Sequence, residues 1–291
     1  MDLFGDLPEP TSEFKKNVKN VGQEHSIDGC SSQSGEKRKL DQVDEKQSSS
    51  SNYRAGQVTP YKRLSTEMYR LQAFHAENKG EREEMQDAFV ICDDFKNEIQ
   101  YSDRSLKPSW KDGTTAVTIL AINNTLYISN LGDSKAVLCR YSETKGQYIA
   151  VPLTKDHNPA QYEERMRIQK SGGFVRDGRL MGVLEVSRSI GDGPYKKHGV
   201  ICLPDVKKCQ LTNHDKYVII ACDGLWKTFT PDAAIEFTNK IIEDASITGT
   251  ELKSAEDLRW ETACVRLVGE AVHRLSADNV TVVIIRIQAR R

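Results

Sequence analysis

The run Tyr217-Val218-Ile219-Ile220-Ala221-Cys222 limits what this chain can fold into more than any other stretch. A continuous apolar run rich in β-branched and aromatic residues, bounded by turn residues, makes a fully buried strand. It stops at Asp223-Gly224, so a buried strand delivers a carboxylate at its end. Near the C-terminus the order is inverted: Ser276-Ala277-Asp278-Asn279 opens the apolar run of residues 280–287. Two central strands are therefore expected, each presenting one aspartate at a sheet edge. Carboxylates on rigid strand ends suit hard cations with oxygen ligands, because such a site is organised before the ion arrives. Asp-Gly and Asp-Asn also serve as plain strand-end turns, so the reading needs further carboxylates elsewhere in the chain.

Not all of the chain carries such patterning. With 38% hydrophobic residues and a mean hydropathy of -0.56, part of its length is expected to stay unfolded. Residues 1–65 mix Ser, Gln, Lys, Glu and Asp, include a serine run at 48–51 and lack aliphatic periodicity. They are read as a disordered tail ahead of a domain over residues 66–291. Inside the tail, Lys37-Arg38-Lys39 and Lys62-Arg63 read either as an import signal or as a solvated charge cluster, and residues 3–8 have the apolar-acidic mixture of a docking peptide. A net charge of -1 gives no global attraction to nucleic acid or membrane. No apolar window reaches the length needed to span a bilayer. Seven cysteines without a C-x-x-C pair point to core thiols in a reducing compartment rather than to disulfides or a zinc site. The expectation is a monomer in the cytoplasm, with the nucleus as an alternative destination.

Folded sequence is expected from about Tyr69. Residues 70–77 alternate as a strand, Lys79-Gly80-Glu81-Arg82 turn, and residues 83–92 read as a strand that a third aspartate, Asp87, enters. Further strands are expected over 115–122, 126–130, 136–141 and 148–153, with turns at Asn123-Asn124 and Gly132-Asp133-Ser134, as an antiparallel meander. A helix is predicted from Asn158-Pro159 to Gly172-Gly173, with Glu163 four residues before Arg167. Another opens at Thr230-Pro231-Asp232. The last places Trp260, Cys264, Leu267, Val268, Ala271 and Leu275 at helical spacing behind a cap of Ser254 and Asp257. Antiparallel strands with helices segregated onto faces give an α+β domain built on a β-sandwich.

Asp87, Asp133, Asp223 and Asp278 now all stand beside strand ends, with Arg82 five residues ahead of Asp87. Four acids and one arginine suit two or more divalent ions with an anion clamp. Such a site activates a water for in-line attack on phosphorus while the arginine holds phosphoryl oxygens bidentately.

The segments Gly80-Glu81-Arg82-Glu83-Glu84-Met85-Gln86-Asp87-Ala88, Asp112-Gly113-Thr114-Thr115-Ala116, Asn130-Leu131-Gly132-Asp133-Ser134-Lys135, Leu184-Glu185-Val186-Ser187-Arg188-Ser189-Ile190-Gly191-Asp192, Cys222-Asp223-Gly224-Leu225-Trp226 and Ser276-Ala277-Asp278-Asn279-Val280-Thr281 follow one another in an order that resembles the metal-dependent type 2C protein serine/threonine phosphatases. The resemblance implies a sandwich of two antiparallel sheets flanked by helices, magnesium or manganese at the sheet edge, and phosphoserine or phosphothreonine proteins as substrates. It implies two metal ions served by Asp87, Asp223 and Asp278, a weaker third ion on Asp133 with Asp223, and the substrate phosphate on Arg82. Ser171, Gly172, Gly173 and Gly182 fall at the start of the family's substrate-facing flap. Residues 1–8 and 161–170 are similar to one member of the family, which implies a kinase or other signalling protein as partner.

Three departures stand against it. Lys227 holds a position where many members carry a third-ion aspartate, and Phe89 one where histidine is usual. Between Asp87 and Asp112 the family places a strand ending in Asp-Gly-His-Gly-Gly and then long helices, and this chain has no such motif there. The join falls between Ile99 and Lys107. The resemblance assigns to that strand the aspartate bridging both metals, a glycine carbonyl ligand and a histidine that protonates the leaving group. The chain is therefore expected to be an impaired phosphatase, or an inactive form that competes for partners.

Overall fold

In the computed structural model, residues 68–92 and 111–290 are described. The predicted tail with its basic clusters, the 3–8 segment and the join near residues 99–107 lie outside them. Among the described residues a five-stranded antiparallel sheet has the order β1-β12-β11-β5-β6, formed by β1 (Tyr69–Asn78), β5 (Lys135–Ser142), β6 (Gln147–Pro152), β11 (Asp215–Ala221) and β12 (Val280–Ala289). A three-stranded sheet joins β10 (Asp205–Gln210), β4 (Thr125–Leu131) and β3 (Ala116–Ile122) in that order. Short pairs are formed by β2 (Gly113–Thr114) with β9 (Ile190–Gly191), and by β7 (Val175–Arg176) with β8 (Arg179–Leu180). These strands lie in one unit spanning Thr66–Arg291.

The two central strands read from sequence are β11 and β12, and their period-2 alternation divides the core. Tyr217, Ile219 and Ala221 share one cluster with Val280, Val282 and Ile284. On the opposite face, Val218 and Ile287 join Leu126, Ile128, Leu138 and Cys209, which come from both sheets and fill the sandwich interior. The first face is covered by α4 (Pro231–Ile242) and α5 (Ala255–His273). In α4, Ala234, Ile235, Thr238, Ile241 and Ile242 are buried at helical spacing. In α5, Trp260, Cys264, Leu267, Val268 and Ala271 form the buried stripe, and the Ser254 side chain accepts from the Asp257 amide as its cap. Trp260 packs edge-on against Tyr217, their ring centroids 5.3 Å apart.

Several expectations need correction. The meander is broken: β3 and β4 pair in the small sheet, β5 and β6 in the large one, and Gly132-Asp133-Ser134 carries the chain between layers. Residues 83–92 form no strand, because they have no ladder partner among the described residues to take their backbone groups. The helix expected from Asn158 begins later, as α1 (Tyr162–Lys170). Asn158 instead closes a turn, its side chain accepting from the Ala160 amide. Arg167 pairs not with Glu163 but with Glu164, at 2.7 Å. Leu275 lies beyond the end of α5 in a left-handed conformation and is 85% exposed. The remaining helices are single turns, α2 (Gly193–Lys196) and α3 (Asp223–Trp226).

Among the described residues α4 and α5 cover the outer face of the large sheet, while α1 packs on the β7–β8 segment through Ile168. On the outer face of the small sheet Leu120, Ile122, Tyr127 and Val206 are exposed. Val117 and Ile119, on the other face of β3, pack against the sandwich core.

Candidate active site

Strand polarity assembles the site. β1 ends at Asn78 opposite Val280, where β12 begins. β11 ends at Ala221 opposite Val282 on one side and opposite Lys135, where β5 begins, on the other. Four antiparallel neighbours thus place two strand ends and two strand starts on one edge. The residues just beyond them are Arg82 and Asp87, Asp278, Asp223, and Asp133.

Asp278 and Asp223 sit on loops locked together. Gly224 passes so close that an added Cβ would lie 2.0 Å from the Asn279 carbonyl oxygen, and the Ser276 hydroxyl donates to the Gly224 carbonyl at 2.7 Å. Gly80 has φ +60°, and a Cβ there would lie 2.3 Å from the Asp278 carbonyl oxygen. The Trp226 indole N–H donates to the Ala221 carbonyl at 2.9 Å, fixing α3 onto the strand it follows.

Arg82 Nη2 contacts Asp278 Oδ1 at 3.0 Å, so the expected phosphate clamp is half-exposed and leans on a carboxylate. The Thr281 hydroxyl donates to Asp87 Oδ2 at 2.9 Å. Burial, with the Asp87 charge adding, pushes the Cys222 thiol up to about 12, so it stays protonated.

Asp133 and Asp223 line a cleft of about 310 Å³ with Lys135, Asp156 and Lys227. Burial first and the charge of Asp223 second raise the Asp133 carboxyl to about 6. The ammonium of Lys227 lies 2.5 Å from Asp223 Oδ2, 3.4 Å from Glu185 Oε2 and 3.5 Å from Asp278 Oδ2. Burial opposes its charge, but the hydrogen bond and field of Asp223, with Glu185 and Asp278, raise its pKa above that of an ordinary lysine.

The oxygen chemistry of these acids suits magnesium or manganese, yet their arrangement does not form a complete ion site. Among the described residues no group of three or more His, Cys, Asp or Glu is placed to hold a metal. Asp133 and Asp223 share the cleft, Asp278 joins them through Lys227, and Asp87 is engaged with Thr281.

The flap supplies Asp177, Gly178, Arg179 and Glu185 to the cleft. Ser171, Gly172, Gly173 and Gly182 stand outside its lining, at the end of α1 and after the β7–β8 hairpin. Arg179 pairs with Glu185. The flap is anchored by Glu164, a buried carboxylate that accepts from Arg167, Arg188 and the Ser187 hydroxyl.

Sequence reasoning assigned no role to Glu164, His157 or Asn279. His157 Nδ1 accepts from the Gly132 amide at 2.9 Å, and the His157 amide donates back to the Gly132 carbonyl at 2.9 Å, holding the turn that carries Asp133. Burial and then Arg188 lower the His157 pKa, so the ring stays neutral as this acceptor requires. An isolated histidine after a charged turn carries no periodic signal, so pattern reading passes over it.

The fold and the acids gathered at this edge are those of the protein phosphatase 2C class. The protein phosphatase 2C family model matches residues 15–280, and the chain belongs to that family. It is 40% identical over 373 aligned positions to the integrin-linked kinase-associated serine/threonine phosphatase 2C of Bos taurus, covering 99% of this chain and 100% of that protein. Against the Homo sapiens protein of the same name it is 44% identical over 292 positions, covering 77% and 74%. An alignment of 373 positions exceeds the 291 residues of this chain, so the bovine protein has residues at positions where this chain has none. Among solved structures, a C. elegans sex determining protein superposes with a TM-score of 0.53 at 27% identity, covering 63% of this chain and 42% of that one.

Proposed function

We propose that this chain recognises phosphoserine or phosphothreonine proteins at the sheet edge and hydrolyses them poorly. One observation carries the reading: the edge brings Arg82, Asp133, Asp223 and Asp278 together, while no three metal donors converge among the described residues. The absence of an Asp-Gly-His-Gly-Gly motif between Asp87 and Asp112 supports placing a loss there, and the bovine relative has residues at positions where this chain has none. Magnesium or manganese remains the metal this donor chemistry suits, and the ions supply an activated water when bound. The residues described here do not by themselves complete two ion sites.

What this chain's residues contribute is recognition. Arg82 offers a planar set of donors to a phosphoryl group. The flap, held by Glu164, adds Asp177 and Arg179 to the cleft lined by Asp133 and Asp223. The intact flap favours a second reading, in which the chain competes with an active relative for partners. The names of the relatives support a kinase-containing signalling complex as the partner. Lys37-Arg38-Lys39 supports entry into the nucleus from a cytoplasmic pool.

Fluorescence anisotropy with a phosphoserine peptide and its unphosphorylated twin tests the recognition. The phosphopeptide should bind more tightly, and Arg82→Ala should weaken it by roughly tenfold, the scale of a charge-assisted hydrogen bond. Equal binding of the two peptides would refute the reading.

A further inference from the structure

The cation nearest the carboxylates of this edge belongs to the protein itself. Lys227 follows Asp223 by one helical turn, and its backbone is fixed: its amide donates to the Asp223 carbonyl at 2.8 Å, just after Trp226 is tied to Ala221. From there its ammonium reaches Asp223, Glu185 and Asp278 within 3.5 Å. Two of these acids come from the sheet edge and one from the flap. An exposed lysine–carboxylate pair contributes little. One ammonium among three carboxylates on separate segments is a network, and Asp133 adds a further negative charge across the same cleft.

A divalent ion shared by Asp133 and Asp223 would have to sit about 2.0–2.6 Å from their oxygens. The ammonium already stands 2.5 Å from Asp223, and two cations at such separation repel strongly in a half-buried cleft. We propose that the ε-ammonium of Lys227 is the resident cation of this cluster, standing in for the divalent ion that Asp133 and Asp223 would otherwise share. A divalent ion then enters this part of the edge by displacing Lys227 on its flexible stem. The proposal rests on reading the edge as metal-bearing, but it also makes a claim about the metal-free protein.

The test uses the full chain and its Lys227→Met, Lys227→Asp and Lys227→Arg variants. Each is followed by thermal unfolding with and without Mn²⁺ and by calorimetric Mn²⁺ titration. Without metal, Lys227→Met and Lys227→Asp should unfold at lower temperature than the parent, and Lys227→Arg, which keeps the charge, should match it. With Mn²⁺, Lys227→Met and Lys227→Asp should recover more than the parent gains, and should bind Mn²⁺ on the order of tenfold more tightly. Metal-free midpoints and Mn²⁺ responses equal to the parent's in both charge-removing variants would overturn the proposal. If no protein in the series binds Mn²⁺, the metal reading of the edge fails, and the metal-free midpoints alone decide the role of Lys227.

Discussion

Asn279 holds Gln86: the backbone amide of Gln86 donates to the Asn279 side-chain oxygen across 2.7 Å, although the two residues are 193 positions apart. The same buried side chain donates to the carbonyls of Lys79 and Glu84 at 2.9 and 3.0 Å. One amide therefore fastens the loop carrying Arg82 and Asp87 to the strand start carrying Asp278.

Replacing Asn279 with alanine should remove three hydrogen bonds, leaving the Gln86 amide and the Glu84 carbonyl without this partner while the Lys79 carbonyl still accepts from the Arg82 amide. A hydrogen bond in such a part-buried setting contributes about 0.5–1.5 kcal/mol, and for a domain of this size each kcal/mol lowers the midpoint by about 2–4 °C. Asn279→Asp should do no better, because a carboxylate cannot donate to the two carbonyls. Thermal unfolding of both variants checks this, and midpoints within a degree of the parent's would contradict the role.

Glu164 should govern acid stability. Burial alone would raise its pKa, but hydrogen bonds from Arg167, Arg188 and Ser187 outweigh it and hold the carboxyl well below the usual range. A depressed folded pKa gives stability that is present above the unfolded value near 4.3 and lost as pH falls below it. Glu164→Gln should cost about 1–3 kcal/mol at neutral pH by removing a carboxylate that two arginines share, although Arg188 keeps Asp205 as a second partner at 2.9 Å. It should also flatten the loss of stability below about pH 4.3. Urea unfolding at a series of pH values measures both effects, and parallel acid limbs would show that the carboxylate charge is not the cause.

The exposed apolar residues on the small sheet should make the chain prone to self-association. Leu120 lies opposite Tyr127 in the register, and Leu120 and Ile122 are 41% and 48% exposed. Leu120→Thr with Ile122→Thr keeps strand propensity while removing apolar surface. Light scattering on warming should fall while stability stays within about 0.5 kcal/mol. Unchanged scattering would mean that association arises elsewhere.

Much of this architecture was legible because burial writes periodicity into sequence. The runs at 217–222 and 280–287 became the central strands β11 and β12, and the Ser254 and Thr230 caps fixed helix starts. Illegible features depend on partners distant in the chain. Residues 83–92 look like a strand by composition, but a strand exists only with a ladder neighbour. Glu163 and Glu164, four and three residues before Arg167, are both within reach of it along a helix, and only the position of Ser187 and Arg188 selects Glu164. Lys227 could be recognised from sequence as a departure. Its embrace by Asp223, Glu185 and Asp278 needs three segments folded together.

Hydrolysis of a phosphopeptide by monodisperse chain in Mn²⁺, beside a version carrying the Asp-Gly-His-Gly-Gly strand and its helices between residues 99 and 107, tests the central claim most directly. The restored protein should turn over at least roughly 10²-fold faster, the lower bound for loss of a general acid alone. Comparable kcat values for the two would contradict the claim that the described edge is an incomplete phosphatase site.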